Sequence, residues 1–259
     1  MNDALYIAAT GMKAQTAQLD LIANNVANMD TPGYKRGSLR FGDLVSGAAI
    51  GTLGGTGANS PTANSTLAGV KSMGLLRSFA VGVLRRSDDP LSLAIQGEGF
   101  IEVQLPDGSA AFSRGGQLEV NSERLLATAD GLELRQRIQV PADVRQIAIA
   151  EDGQVQGRDD AGRSFSLGRI EVAMFSNPSG LTSIGDGLWR DSTASGDALV
   201  MPAGEAGAGR LKQGFVESSN VQLVDEMVLL MVAQRAYEMN VKVMQTADEI
   251  ASMTNNLRK

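Results

Sequence analysis

Large apolar side chains in the first part of the chain recur at heptad spacing. Leu5, Met12, Leu19 and Val26 fall seven apart, and Ala8, Gln15, Ile22 and Met29 form a second set offset by three. Residues so spaced share one face of a helix, so the pattern predicts an amphipathic helix with a narrow seam. Gln15 is the polar exception, and the positions between are mostly small or polar, among them Thr10, Lys13, Asp20, Asn24 and Asn25. Asn28 is expected to close the helix in a left-handed conformation. Thr31-Pro32-Gly33-Tyr34 then suits a type II turn, with Pro second and Gly third.

From Leu44 to Val70 there is no charged residue, and Gly, Ala, Thr and Ser dominate. Such a stretch predicts an extended, flexible connector with little helix. From about Ser72 to Gly214 short β-prone runs alternate with turn signals, including Asp107-Gly108, Asp130-Gly131 and Asp152-Gly153. That texture predicts an antiparallel meander or partly closed barrel. The glycines of Gln96-Gly97-Glu98-Gly99-Phe100 lack the following helix and the Lys-Ser/Thr pair of a phosphate loop. They are read as tight turns or close strand packing.

The last segment, from Ser219 onward, has no Gly or Pro and predicts a long helix. Ser219 with Gln222 fits a capping box, with Asn220 as a competing cap. Asp225 and Glu226 suit the first turns, and Arg258 and Lys259 the end. Leu229, Ala236, Val243, Ile250 and Leu257 fall seven apart on one edge of a wide apolar sector, and Leu230, Tyr237 and Met244 mark the other. That is more than one seam, which predicts more than one neighbour; an ordinary buried helix would show the same sector. Eight of the eleven methionines, Met227 among them, lie in the terminal segments, where their adaptable side chains suit a repeated interface or a plain core.

The chain thus reads as α+β. A discontinuous domain of terminal helices paired as a coiled coil, residues 1–35 and 216–259, encloses an antiparallel all-β domain at 76–215. A Gly/Ser/Thr/Ala-rich connector occupies 36–75. Seams left free until copies meet would make a self-assembling tube wall.

Charge and chemistry narrow the function. The 259 residues carry a formal charge of −6, without a basic cluster, which argues against nucleic acid as a partner. Neither Cys nor His occurs, so disulfides, thiol chemistry and the commonest metal ligand and general base are missing. No cofactor, metal or small-molecule substrate is expected, and the chain is read as no enzyme. An alternative from another class is a hydrolase using the adjacent carboxylates Asp88 and Asp89, or Asp159 and Asp160. A third is a secreted binding module with Trp189, Phe100 and Phe112 lining a pocket. The acidic start, and an early apolar run broken by Thr10, Gly11 and Lys13, do not fit a cleavable secretory signal. A soluble chain is expected, either cytoplasmic or leaving the cell by a route that reads no such signal.

Three separated stretches resemble bacterial flagellar rod and hook proteins. They are Leu19–Arg36 (LDLIANNVANMDTPGYKR), Asp89–Gly116 (DPLSLAIQGEGFIEVQLPDGSAAFSRGG) and Gln213–Ile250, in the family's order and spanning most of the chain. Within that family the length and the stretches GLTSIGDGLW and GRLKQGFVESSNV look most like its distal rod members. Proximal rod and hook-type members are the alternatives, and the connector departs from the distal pattern. The resemblance implies a structural subunit of the tubular drive shaft that carries torque from motor to hook. It implies export through the flagellar type III machinery without a cleaved signal, and a place in the basal body within the periplasmic space. Partners would be other copies, other rod proteins, the hook protein and the surrounding ring bushing. The residues expected at subunit packing are Leu5, Met12, Leu19, Ile22, Asn24, Asn25, Val26 and Asn28 at the front. At the back they are Met227, Leu230, Tyr237, Val243, Met244, Ile250 and Leu257, with Pro32 and Gly33 shaping the turn.

Overall fold

A computed structural model describes residues 2–46 and 66–256. The chain divides into two compact units, one of Met1–Ala27, Gly37–Leu76 and Gln222–Lys259, the other of Asn28–Arg36 and Arg77–Val221. Together they make an α+β protein, with helices at both ends of the chain and antiparallel sheet between.

The helical unit contains α1 (Asn2–Ala27), strands β1 (Gly37–Ser46) and β2 (Thr66–Arg77), and α2 (Leu223–Asn256). The stretch expected as connector therefore carries two strands, which pair in a two-stranded sheet. Its neutral middle, residues 47–65, lies outside the described residues, as do Leu257, Arg258 and Lys259. The two helices run antiparallel: Asn25 meets Glu226 near one end, and Gly11 lies against Asn240 further along. No Gly or Pro interrupts α2, and Asp225 and Glu226 sit in its first turn, where the helix dipole favours them.

Two local expectations are corrected. Asn28 is not among the residues with positive φ; it takes part in a turn instead, its carbonyl accepting from the Thr31 N–H at 3.2 Å. Ser219 and Asn220 do not cap α2, whose first helical bond runs from the Glu226 N–H to the Gln222 carbonyl at 3.1 Å. The Ser219 hydroxyl accepts from the Val221 N–H, and the Asn220 side chain is engaged elsewhere, as described below. The turn after α1 forms as expected: Gly33 has φ +71°, and the Tyr34 N–H donates to the Thr31 carbonyl at 3.3 Å.

The second unit is built of short strands. They are β3 (Leu84–Arg86), β4 (Ser92–Gln96), β5 (Phe100–Gln104), β6 (Ala110–Ser113), β7 (Gly115–Val120), β8 (Leu126–Thr128), β9 (Glu133–Leu134) and β10 (Val144–Ile149). They continue with β11 (Gln154–Asp159), β12 (Ser164–Arg169), β13 (Glu171–Met174), β14 (Thr182–Gly185), β15 (Leu188–Arg190), β16 (Leu199–Pro202), β17 (Arg210–Gln213) and β18 (Phe215–Glu217). The main sheet runs β14-β15-β6-β5-β9-β8-β7-β4-β17, with β13 joining β5 to β16, while β10-β11-β12 and β3-β18 form smaller sheets. The strand pairings in this unit are antiparallel. Each Asp-Gly pair closes a hairpin: Gly108, Gly131 and Gly153 have φ of +83°, +80° and +87°.

Strands β4 and β5 are buried along nearly their whole length, which is why Leu93, Ala94 and Ile95 run on without polar alternation. They meet Leu118, Leu126, Leu134, Val155, Ile170, Val172 and Leu211 in one apolar core. A second cluster stacks Phe79, Phe100, Phe112, Phe175 and Trp189 edge to face, with ring centroids 4.8–5.6 Å apart. The glycines before Phe100 serve close packing. Gly99 has φ +123°, and a Cβ there would overlap Val172; a Cβ on Gly97 would come within 2.8 Å of the Gly209 Cα. Gly99→Ala should therefore destabilise this unit by about 2–4 kcal/mol, strain and overpacking together. Denaturant unfolding followed by fluorescence of Trp189, the only tryptophan, measures it.

Candidate functional site

The terminal helices were the expected working surface, and the faces they present to each other are unusual. The most buried side chains of α1 are Ala8, Ile22 and Asn25; those of α2 are Glu226 and Ala233. With Gly11 against Asn240, these positions define a heptad seam on each helix. On α1 it passes through Ala8, Gly11, Gln15, Gln18, Ile22 and Asn25, and on α2 through Glu226, Leu230, Ala233, Tyr237, Asn240, Met244 and Ala247. Most of these residues are small or polar. A Cβ on Gly11 would lie 3.0 Å from the Asn240 Nδ2, so glycine leaves room for the Asn240 amide against α1. In mid-helix it costs about 1 kcal/mol relative to alanine.

One polar side chain ties this pair to the strand that follows. Asn25, 1% exposed, donates from Nδ2 to the Gly37 carbonyl and accepts at Oδ1 from the Gly37 N–H, both at 3.0 Å. The same amide nitrogen donates to Glu226 Oε2 at 3.3 Å. The side chain thus acts as one rung of a sheet, holding the start of β1 against the end of α1. Asn25→Leu would leave both Gly37 groups buried without their partner, at about 1–3 kcal/mol each. Faster hydrogen exchange at Gly37, with Trp189 fluorescence unmoved, is the expected reading.

Because the facing seam uses small residues, the large ones lie elsewhere. Val224, Met227, Val228, Met231, Val232, Met239, Val243, Ile250 and Met253 of α2 are 46–73% exposed. Leu229, Val232, Ala236, Met239, Val243, Thr246, Ile250 and Met253 recur at alternating spacings of three and four. They form a second complete heptad seam on the same helix, rotated away from the first. Of the residues expected at subunit packing, Met227, Tyr237, Val243 and Ile250 are exposed, and Leu230 and Met244 are half-buried. On α1, Leu5, Met12, Leu19 and Val26 are half-buried along the margin of the contact with α2, Ile22 is inside it, Asn24 is exposed and Asn28 half-buried. Asn25 is committed within its own chain. Pro32 is exposed and Gly33 half-buried in the turn.

The second unit holds a buried ionic cluster that the sequence reading missed. Glu217, at the end of β18, accepts at Oε1 from Lys35 Nζ and the Gly82 N–H, each at 2.7 Å, and at Oε2 from Arg114 Nε at 2.9 Å. Lys35 also donates to the Ala80 carbonyl at 2.9 Å, and Arg114 to the carbonyls of Gly99 and Gly97 at 2.6 and 2.8 Å. The three side chains are at most 3% exposed. Burial and the nearby Arg114 charge hold the Lys35 pKa below the usual lysine value, with Glu217 offsetting part of this. Burial of Glu217 opposes its ionisation, but Arg114 and Lys35, through charge and hydrogen bonds, outweigh it and lower the carboxyl pKa. Beside this cluster the chain crosses into and out of the unit. Asn220 Oδ1 accepts from the Arg36 N–H at 2.7 Å, its Nδ2 donates to the Ser78 carbonyl at 2.8 Å, and the Ser78 N–H donates to the Arg36 carbonyl at 2.9 Å. Arg77 reaches the Lys35 carbonyl and lies over the Tyr34 ring.

A carboxylate whose pKa is lowered by folding stabilises above its unfolded pKa, and that stability is lost as pH falls through the folded value. Unfolding free energy should therefore plateau near neutrality and fall below about pH 4.3. Glu217→Gln, which leaves two buried cations unpaired, should be weaker at pH 7 by roughly 3–5 kcal/mol and lack this part of the acid decline. Denaturant titrations between pH 7 and 3 test both.

The other candidate groups are engaged in local structure. Asp89 accepts from the Leu91 N–H, and Asp160 pairs with Arg145. Asp159 binds Arg163, whose N–H holds its pKa below the usual range, the opposite of what a general acid needs. Phe100, Phe112 and Trp189 lie buried in the aromatic cluster. Among the described residues there is no group of three or more Asp or Glu side chains placed to hold a metal ion, and no helix long and apolar enough to cross a membrane.

Comparison with known proteins agrees with this arrangement of ends and middle. Residues 5–35 match the flagella basal body rod protein family, residues 94–157 the flagellar hook protein FlgE/F/G D1 domain, and residues 212–257 the flagellar basal body rod FlgEFG protein C-terminal family. The chain is 38% identical to the flagellar basal-body rod protein FlgG of Borreliella burgdorferi, over 100% of both chains. It is 39% identical to that of Caulobacter vibrioides, over 98% of this chain and 99% of the other. The FlgF protein of Caulobacter vibrioides is 29% identical over 97% of this chain and 96% of its own length.

Proposed function

The chain belongs to the flagellar basal-body rod protein family, and we propose that its terminal helices join those of other copies in a tubular shaft. Its function is structural, as a subunit of the rod. The greater identity to FlgG than to FlgF proteins supports the distal section of that rod. The proposed setting is the periplasmic space, reached by type III export, with other rod proteins and the hook protein at the shaft's ends and a ring bushing around it. There the shaft carries torque. The helices are proposed to pack as coiled coils, within the chain along one seam and between chains along another.

The observation that carries this reading is the second seam of α2. Its large side chains, Val232, Met239, Val243, Ile250 and Met253, are 46–60% exposed. Burying such a side chain completely contributes roughly 1.5–3 kcal/mol, and about half of that is still to be gained at each of these, so covering the seam favours association. The site residues expected from sequence divide accordingly. Val243 and Ile250 face other copies, while Ile22, Asn25, Leu230, Tyr237 and Met244 lie on the seams that pair the helices inside one chain.

Val243→Asp with Ile250→Asp should abolish sedimentable polymer from the purified chain and abolish swimming when the variant replaces the native protein. Its Trp189 fluorescence and unfolding midpoint should match the parent. Normal polymer and normal swimming would refute the assignment.

A further inference from the structure

We propose that the second seam of α2 is covered by the outer face of α1 from the next copy, the two helices antiparallel, with Asp20 against Lys242 and Lys13 against Glu249. The proposal deepens the rod-subunit reading and rests on it. It begins with a third heptad pattern. Ala9, Lys13, Thr16, Asp20, Ala23 and Ala27 recur at alternating spacings of four and three along α1, and all six are exposed. This face turns away from the seam that meets α2 of the same chain.

The two exposed surfaces complement each other in shape and in charge. The α2 seam presents large side chains, Met239 and Met253 among them; the α1 face presents mostly small ones. Lys242 and Glu249 flank the α2 seam seven residues apart, and Asp20 and Lys13 lie seven apart on α1. In an antiparallel pair each step forward on one helix is a step back on the other. Setting Asp20 against Lys242 therefore sets Lys13 against Glu249, so both contacts join opposite charges in one register. The same register puts Thr16 opposite Thr246, Ala23 opposite Met239 and Ala9 opposite Met253. Small residues thus receive the methionines, whose flexible chains fill irregular gaps. Among the described residues none of the four charged groups has an ion partner within the chain. Exposed ion pairs add little energy; their part here is to select the register, while apolar burial supplies the attraction.

These pairings can form only between copies. Within one chain Asn25 meets Glu226 and Gly11 meets Asn240, which sets Ala23 level with Val228. Met239 lies eleven residues further along, about 16 Å away at 1.5 Å per residue. The contact is also heterologous: each copy offers an α1 face to one neighbour and an α2 seam to another. Such contacts propagate into open assemblies or rings and do not stop at a dimer.

The chain has no cysteine, so introduced thiols report without background. In the full-length chain under polymerising conditions, Ala23→Cys with Met239→Cys should give, on oxidation, a ladder of covalent multimers. Either substitution alone should give monomers. Lys242→Glu should cut polymer yield about tenfold or more by setting like charges face to face, and adding Asp20→Lys should restore it. Polymer without the ladder, a ladder that stops at dimers, or Lys242→Glu polymerising as the parent does would overturn the pairing and leave the rod-subunit reading standing. A parent chain that never polymerises would remove both.

Discussion

A helix that carries two complete heptad seams needs two partners, and the remainder of the helical unit follows from that constraint on α2. The seam through Glu226, Ala233 and Asn240 is closed by α1 of the same chain. The seam through Val232, Met239, Val243 and Ile250 is not closed by α1. The division of residue types between them is physical. The internal contact uses Gly11, Ala8 and Ala233 for close approach and one amide, Asn25, for direction. Large apolar side chains, Val232, Met239, Val243 and Ile250 among them, stay exposed on the second seam. On the rod-subunit reading proposed above, the exposed apolar stripe is what other copies would cover.

In the other unit a buried cluster of one carboxylate and two cations does what apolar packing does not. Glu217 gathers Lys35, Arg114 and the Gly82 N–H from three separate parts of the chain. Buried ion pairs are weak sources of net stability, but their donors and acceptors fit in few ways, so they are good at fixing geometry. Here the fixed geometry is that of the crossing segments. Residues 33–36, 77–83 and 217–220 are stitched together by this cluster and by Asn220. Residues that enter and leave the unit are thus anchored inside it.

Much of the architecture was legible from pattern. Heptads marked both helices, Asp-Gly pairs marked the hairpins, and Pro32-Gly33 marked the turn, because each is a local signal with a local cause. What escaped notice shares one property: its partners are distant in sequence. Glu217, Lys35 and Arg114 look like solvated charges until the fold brings them together. Of the two interleaved sets read along α1, the one with Ala8, Gln15 and Ile22 lies inside the contact with α2, while Leu5, Met12, Leu19 and Val26 are half-buried; Gly11 and Gln18, small or polar, were passed by in a count of apolar side chains. Asn28 and Ser219 were given terminal roles by preference alone; in the fold a turn engages the first, and the second begins a short non-helical stretch before α2. The aromatic residues offered as a binding surface are core, as their size would favour.

The exposed seam has a chemical consequence as well as a mechanical one. On this seam Met239 and Met253 present thioethers to solvent while the molecule is alone. Oxidation turns a thioether into a polar, chiral sulfoxide. Damage to a waiting subunit would therefore fall on the surface that must later be dry, and would spare the apolar core and aromatic cluster of the β-rich unit. On the reading proposed above, covering this seam with a neighbouring copy would also shield its thioethers.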